Sequence, residues 1–407
     1  MPGNSVMTIT CKQDYDVIIV GAGLVGASLA LLLGQSGLKI AVVENHLPDF
    51  STIGNKSDYR PLTLNYSSQL LLAQLKIWPL LSANACPIKE VVVSEQGRFG
   101  KVRFQAADFQ LPALGYVVPI MEVHQKIYQT AAKLTNISFL SIQNLVHIDS
   151  REDEVTAVVM IQDKRVNLKA SLLIGADGTH SHTRLLQNIA VDQIKLNQQA
   201  LIFTLKLKEN HRFVAYERFT KKGTLALLPL SDFQHIRLVW TLNHKILQEV
   251  STWNPKQLLD YINSCFASFL GPIQFISQQQ NLALEILVAK EQIKPGFVLI
   301  GNAAHTLYPL AAQGFNLGLA DAAVLAEILI LGWNKGQPLG ELNLLKKYTD
   351  RRLSHQAWVN HFTFSLTQLF EIQLPLAGSL RSLTMTATDF LPIIKTMLGK
   401  RLLGLIS

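Results

Sequence analysis

Three groups of residues in this chain have the types and spacing to hold a phosphate-bearing ligand. Gly21, Gly23 and Gly26 stand in the pattern G-x-G-x-x-G. In such a pattern the first glycine permits a tight turn, the second lets backbone approach a pyrophosphate, and the third lets a helix pack closely on a strand. Glu44 follows at about the 20-residue distance at which an acid accepts from a ribose 2′-OH, which favours FAD or NAD over a cofactor phosphorylated at that position. The second group is a turn, Asp177 and Gly178 in "GADGTHS", with Arg184 beyond it. The third is the stretch "GNAAHTLYPLAAQGFNLGLADA" from Gly301, which carries Asn302, His305, Tyr308, Pro309, Gln313, Gly314 and Asn316. No Asp, Glu, Lys or Arg occurs between Lys294 and Asp321. Its length and apolarity suit a membrane span, but its Gly, Asn, Gln, His and Pro residues suit a strand, an irregular loop and a buried helix better. Such a helix start offers free N–H groups and a dipole to negative charge.

The surrounding elements put these groups where ligands bind. "YDVIIV" (Tyr15 to Val20) reads as a buried strand running into the first glycines, "ASLALLLGQSG" as a helix stopped near Gly37, and "LKIAVVE" as a second buried strand ending at Glu44. Leu172 to Ile174 is a further apolar strand, so Asp177 also falls at a strand's C-terminal end, where doubly wound sheets bind ligands. A turn aspartate is usually just that. Arg60 is expected at the mouth of an apolar helix running to about Ile77, and Gln125 on the first turns of another; both also fit plain solvated positions. Ile137 to Ala170 reads as a three-stranded meander. From Gln199 to about Ile293, strand-like runs, one amphipathic helix and a final strand predict an antiparallel sheet with one covered face, to which a Val91–Gln105 hairpin belongs. The fold class expected is α/β. Residues 14–87, 113–190 and 286–335 would form a Rossmann-like nucleotide domain. Residues 88–112 and 191–285 would form an antiparallel-sheet substrate domain, and 336–407 a C-terminal helical region.

The chain has 407 residues, 48% hydrophobic and 16% charged, with a formal net charge of +8 and a pI of about 9.3. That balance permits an anionic cofactor or membrane surface, while the lack of a dense Lys/Arg tract with interleaved aromatics argues against nucleic acid. Cys11, Cys86 and Cys265 are too scattered for a disulfide framework or metal motif, and the 11 histidines lack ligand spacing, so no metal is expected. The N-terminus does not read as a signal peptide, and a cytoplasmic location is the expectation. Near the C-terminus, Leu398, Leu402 and Leu405 with Lys395, Lys400 and Arg401 form a basic amphipathic helix. It suits peripheral contact with an inner membrane, or packing on the body or a partner subunit.

Together, the G-x-G-x-x-G start, the G-A-D-G turn and "GNAAHTLYPLAAQGFNLGLADA" resemble the FAD-dependent aromatic hydroxylases, and "ERFTKKGTLALLPLSD" with "LVW" resembles their ubiquinone-biosynthesis branch. The resemblance runs from about residue 14 to the C-terminus. It implies that FAD is bound by Gly21, Gly23, Gly26 and Glu44 at its ADP half, and by Arg60 and Gln125 at the pyrophosphate and ribityl chain. Asp177 and Gly178 would serve FAD and NAD(P)H, Asn302 the ribityl hydroxyl, and Pro309, Gln313, Gly314 and Asn316 the pyrimidine edge, where helix N–H groups stabilise a reduced, anionic flavin. It further implies NAD(P)H and O2 as co-substrates, a flavin C4a-hydroperoxide, and a polyprenylated methoxyphenol as the ring hydroxylated. Tyr216, Leu227, Pro229 and Tyr308 are the expected pocket liners. His305 is either a base or a packing residue of the loop. Asn302, Tyr308 and Ala312 depart from the commoner Asp, His and Gly of relatives. Two alternatives stay open: a hydroxylase of an unprenylated aromatic on the same scaffold, and, on the footing of Ala312, a non-catalytic scaffold subunit of a biosynthetic assembly. A ubiquinone-biosynthesis complex or a homo-oligomer is the partner arrangement expected.

Overall fold

The computed structural model describes residues 13–50, 61–276, 280–308, 313–371 and 377–406. A six-stranded sheet carries the nucleotide-binding half. Its order is Ile293–Lys294, Phe297–Leu299, Leu172–Gly175, Val17–Val20, Ile40–Glu44 and Ile137–Ser141, parallel except at the first, short strand. Both faces of this sheet are covered, which is why its strands are continuous apolar runs. Val17, Ile19, Ile40 and Val42 face the helices Leu24–Gly34 and Gln313–Asn334, while Ile18, Val20, Ala41 and Val43 face a smaller antiparallel sheet. Each such fully buried aliphatic side chain contributes about 1.5–3 kcal/mol through removal from water.

That smaller sheet is Asn144–Ser150, Val155–Ile161 and Lys164–Ala170, with Gln13–Asp14 at its edge. The expected meander from Ile137 is therefore corrected: Ile137–Ser141 leaves it and pairs with Ile40–Glu44 at the rim of the parallel sheet. The helix expected directly after Arg60 is also corrected. Pro61–Asn65 is a strand paired with Gly115–Pro119, and the helix starts at Tyr66, where the Asn65 side chain accepts from Ser68 N.

The second large sheet is antiparallel in its centre. Val191–Leu207, His235–Asn243, Gly223–Pro229 and Val214–Thr220 pair in that order, and Glu90–Glu95 joins the last of them in parallel. The helix Pro255–Leu270 covers one face through Ile262, Cys265 and Phe266. The other face is covered too, by the nucleotide half and by C-terminal helices. Three helices end the described chain, Leu342–Glu371, Ala377–Phe390 and Pro392–Leu402. Gln313–Asn334 is long and apolar enough to cross a membrane, but here it is a core helix, with Leu317, Leu319, Ala322, Leu325 and Leu329 buried.

Candidate active site

The strand Val17–Val20 delivers the chain to Gly21 at φ +109°, where a Cβ would lie 2.4 Å from Ala176 O. A Cβ on Gly26 would lie 2.0 Å from Gly21 O, so the helix turn and the glycine turn touch backbone to backbone. A Cβ on Gly23 would meet nothing within 4 Å. Gly23 is also the N-cap of Leu24–Gly34, which starts with no side-chain cap, leaving its first N–H groups open to an anion. Glu44 Oε2 accepts from Ala22 N at 2.9 Å, placing the acid beside the glycine turn. Gly21, Gly23, Glu44, Asp177 and Gly178 line one cleft of about 640 Å³. An open glycine, an uncapped helix start and an acid at the cleft wall fit the ADP half of FAD.

His124 completes this corner and carries no sequence motif. Its Nε2–H donates to Ala22 O at 2.7 Å, so the Ala22 peptide is held from both sides, by His124 and by Glu44. Burial lowers the His124 pKa, against smaller opposing contributions from Ala22 O and Glu44. Gln125, its neighbour on Ile120–Ala131, is half-buried and is not among the cleft-lining residues.

Asp177 spends its carboxylate on its own turn. It accepts from Ser181 Oγ at 2.6 Å and from Thr183 N and Oγ1 at 2.9 Å each. Its contribution to the cleft is therefore the shape of the turn, with Gly178 at φ +83° and open space at its missing Cβ. Buried Arg184 donates to Thr179 O and, at 2.8 Å, to Ala303 O, fastening this turn to the third group.

In that third group Gly301 has φ +58°, and Cβ atoms on Gly301 and Gly318 would meet Val25 methyls at 3.2 and 2.8 Å. Val25 thus brings the first helix, the Gly301–Ala303 turn and the Gln313–Asn334 helix together. Asn302 is exposed on that turn, and its backbone carbonyl accepts from Thr306 Oγ1. Asn316 and Gln313 are 4% and 8% exposed. Asn316 Nδ2 donates to Thr63 O at 2.8 Å and its Oδ1 accepts from Asn65 N at 3.0 Å; Gln313 Nε2 donates to Leu402 O. These amides anchor the helix start to neighbouring backbone, while Gly314 is left with open space at its missing Cβ. Arg60, Pro309 and Ala312 lie outside the described residues.

Four expected pocket residues are placed elsewhere. His305 is 2% exposed and bonded through Nε2 to Asp321, which also accepts from Arg352 Nε at 2.8 Å and Gln356 Nε2 at 2.9 Å. It packs and orients; a base facing substrate is not what this geometry offers. Tyr216, Leu227 and Pro229 belong to the sheet face under Pro255–Leu270, with Tyr216 packed edge-on against Phe266 and Phe269. Alternation along a strand gives the period but not the parity, and both faces of this sheet are apolar because both are covered. The face turned to the nucleotide half carries Ala215, Glu217, Phe219 and Leu228 instead. Tyr308 does lie on that side, packed with Phe219, its hydroxyl donating to Gln198 Oε1 at 2.9 Å.

The profile of a family described as "FAD binding domain" matches residues 14–363. The chain is 28% identical over 398 residues to the 3-demethoxyubiquinol 3-hydroxylase of Escherichia coli K12, covering 97% of this chain and 100% of that protein. It is 27% identical over 416 residues to the ubiquinone hydroxylase UbiM of Neisseria meningitidis, covering 99% and 89%. In fold it is similar to the p-nitrophenol 4-monooxygenase PnpA of Pseudomonas putida DLL-E4, with a TM-score of 0.76 at 17% identity over 96% of this chain and 98% of that one.

Proposed function

We propose that this chain, which belongs to the FAD binding domain family, is an FAD-dependent monooxygenase that hydroxylates the ring of a polyprenylated methoxyphenol on the way to ubiquinone. The observation that carries the reading is the glycine-lined cleft at Gly21, Gly23 and Glu44 in a chain collinear with ubiquinone-ring hydroxylases. Bound FAD would supply the redox chemistry, passing electrons from NAD(P)H to O2 so that one oxygen atom of O2 enters the ring and the other leaves as water. Gly21, Gly23, Gly26 and Glu44 hold its ADP half. Asp177 and Gly178 shape the cleft wall, and the turn at Asn302 with the helix start at Gly314 would hold the isoalloxazine. Arg60, Gln125 and Pro309 are assigned to FAD on the family resemblance alone. The ring sits against the inner face of the large sheet, and 2-polyprenyl-6-methoxyphenol is the substrate we assign.

A polyprenyl chain partitions into lipid, so the enzyme works at the cytoplasmic surface of the inner membrane. Phe390, Ile393 and Met397 are 78%, 84% and 55% exposed on the last two helices, with Lys400 exposed beside them. This apolar, basic face supports peripheral docking.

Purified protein is expected to be yellow and to oxidise NAD(P)H faster when a prenylated 2-methoxyphenol is added, with a hydroxylated product by mass spectrometry. Colourless protein that neither binds FAD nor oxidises NAD(P)H would instead identify a scaffold subunit. Stimulation by unprenylated phenols alone would assign a different substrate. A deletion strain accumulating the prenylated methoxyphenol is the cellular counterpart.

A further inference from the structure

The strand register of the large sheet places one acid where the substrate ring is proposed to lie. Glu217 shares a row with Val93, Ala226, Val239 and Ile202, on the face opposite the Pro255–Leu270 helix. Two residues before it on the same face, Ala215 packs with Cys86, Ile88 and Val117 of the nucleotide half. Two residues after it, Phe219 packs with Tyr308 and stacks on Phe370 at 3.5 Å between centroids. Tyr308 lies five residues before Gln313, where the helix Gln313–Asn334 begins. Glu217 therefore stands between two apolar clusters, one around Ala215 and Val117 and one around Phe219 and Tyr308.

Among the described residues no hydrogen bond or ion pair holds its carboxylate. The charged groups on the same side are committed elsewhere. Glu95, opposite Phe219, is paired with Arg381 at 2.7 Å, Lys89 lies over the Phe213 ring, and Arg237, two strands away, has partners of its own. The nearby titratable groups do not supply a positive charge either. The Tyr308 hydroxyl is bonded to Gln198, Tyr66 is a phenol, and burial holds the Cys86 thiol up at about 12. Glu217 keeps intermediate exposure on this face, and with no cation to offset it, desolvation raises its carboxyl to about 8. An unpaired carboxylate in such surroundings costs stability, and a β-branched residue would fill the strand position better. Its presence calls for a chemical reason.

We propose that Glu217 accepts the hydroxyl proton of the phenol substrate. The inference rests on the proposed function and names the group that prepares the ring for it. In this step the phenolic O–H bond breaks and an O–H bond forms on the Glu217 carboxylate. The electron pair stays on the phenol oxygen, and nothing is oxidised or reduced. The resulting phenolate donates density into the ring, which makes the ring carbon a better nucleophile toward electrophilic oxygen. A carboxyl with a pKa near the working pH is suited to take and later release this proton.

The test compares the FAD-loaded wild type with E217Q and E217D, using 2-methoxyphenol bearing a short prenyl chain as the probe. Wild type is expected to show phenolate absorbance on binding the probe, rising with pH as the free carboxylate becomes available, while the probe-free enzyme shows an infrared carboxylic-acid band that is lost with a midpoint near 8 and returns on probe binding. E217Q should lose both signals and about 100-fold or more in product formation, while keeping its flavin spectrum and a melting temperature no lower than that of wild type. E217D should recover part of the phenolate signal. Wild type that ionises the probe without hydroxylating it sinks the proposed function but supports this role for Glu217. Probe ionised equally by E217Q, bound without ionisation by wild type, or a Glu217 band titrating in the ordinary carboxylate range overturns the role. Absence of any probe binding overturns both.

Discussion

Asp321 Oδ2 and His305 Nε2 meet at 2.5 Å in a part of the interior where both side chains are at most 3% exposed. Arg352 Nε closes on the other oxygen of Asp321 at 2.8 Å. The carboxylate thus couples the turn after Gly301 to the helix Leu342–Glu371. Burial pushes its pKa up, but His305 and Arg352 pull it further down, well below the usual carboxylate range. Asp321→Asn leaves Arg352 an unpaired buried cation and is expected to cost about 3–5 kcal/mol in urea unfolding. A depressed carboxyl pKa contributes stability above the unfolded value of about 4, and that contribution is lost as pH falls through the lower folded value. The variant should therefore lose less stability than wild type below about pH 4.

Gly23 and Gly26 separate cofactor binding from folding. Gly26→Ala forces a Cβ to 2.0 Å from Gly21 O, and a loss of about 1–3 kcal/mol or more in the apo protein is expected. Gly23→Ala meets nothing within 4 Å, so apo stability should stay within about 0.5 kcal/mol of wild type. Its FAD affinity should nonetheless fall at least about tenfold, because the space a Cβ takes is the space a pyrophosphate needs. Chemical denaturation and flavin fluorescence titration read the two effects independently.

His355 accepts from Arg352 Nη1 on its Nδ1 at 3.1 Å, so the ring is neutral with its proton on Nε2. Burial, then Arg352, lowers its pKa to about 4. In the unfolded chain the ring takes a proton below about 6.5. The unfolded state therefore binds more protons between about pH 6.5 and 4, and stability falls as pH drops across that window. A melting-temperature profile of His355→Gln should be flatter there than wild type. His124 and His211, both lowered chiefly by burial, act in the same direction and leave part of the slope in place.

The exposed face of the last helices offers a test of membrane docking. Phe390, Ile393 and Met397 project outward, whereas Leu398 and Leu403, from the same segment, pack with Val102, Phe104 and Met385. Replacing Phe390, Ile393 and Met397 together by Ser should leave the melting temperature unchanged. Co-sedimentation with anionic phospholipid vesicles should fall about tenfold or more, since each such side chain is worth about 1.5–3 kcal/mol when removed from water. Equal sedimentation of wild type and variant would remove the membrane from the account.

The nucleotide corner is legible in the sequence because backbone geometry dictates residue type there. Only glycine serves at Gly21, whose φ is +109°, and at Gly26, against Gly21 O. Side-chain direction is much less legible. "VAYERFT" announces a strand, yet which of Tyr216 and Glu217 faces the nucleotide half depends on which layer covers which face, and that is a long-range fact. Asn316 illustrates the same limit: its motif marks the helix start, but its amide closes on Thr63 O and Asn65 N, residues 253 and 251 positions away. His124 could not be singled out, because its partner is a backbone carbonyl that any residue supplies.

The strand Leu172–Gly175 is flanked by Val17–Val20 on one side and Phe297–Leu299 on the other, and Val25 touches both Gly301 and Gly318. The cofactor corner is thus assembled from all three thirds of the chain. During synthesis at roughly 5–20 residues per second, the first glycine turn waits on the order of 15–60 s for the strand and helix that complete its surroundings. From its own synthesis until that of Phe297–Leu299, roughly 6–25 s at the same rate, one edge of Leu172–Gly175 has no neighbour to pair with. The nascent chain is then a natural client for chaperones, and cofactor supply can influence yield only after nearly the whole protein has been made.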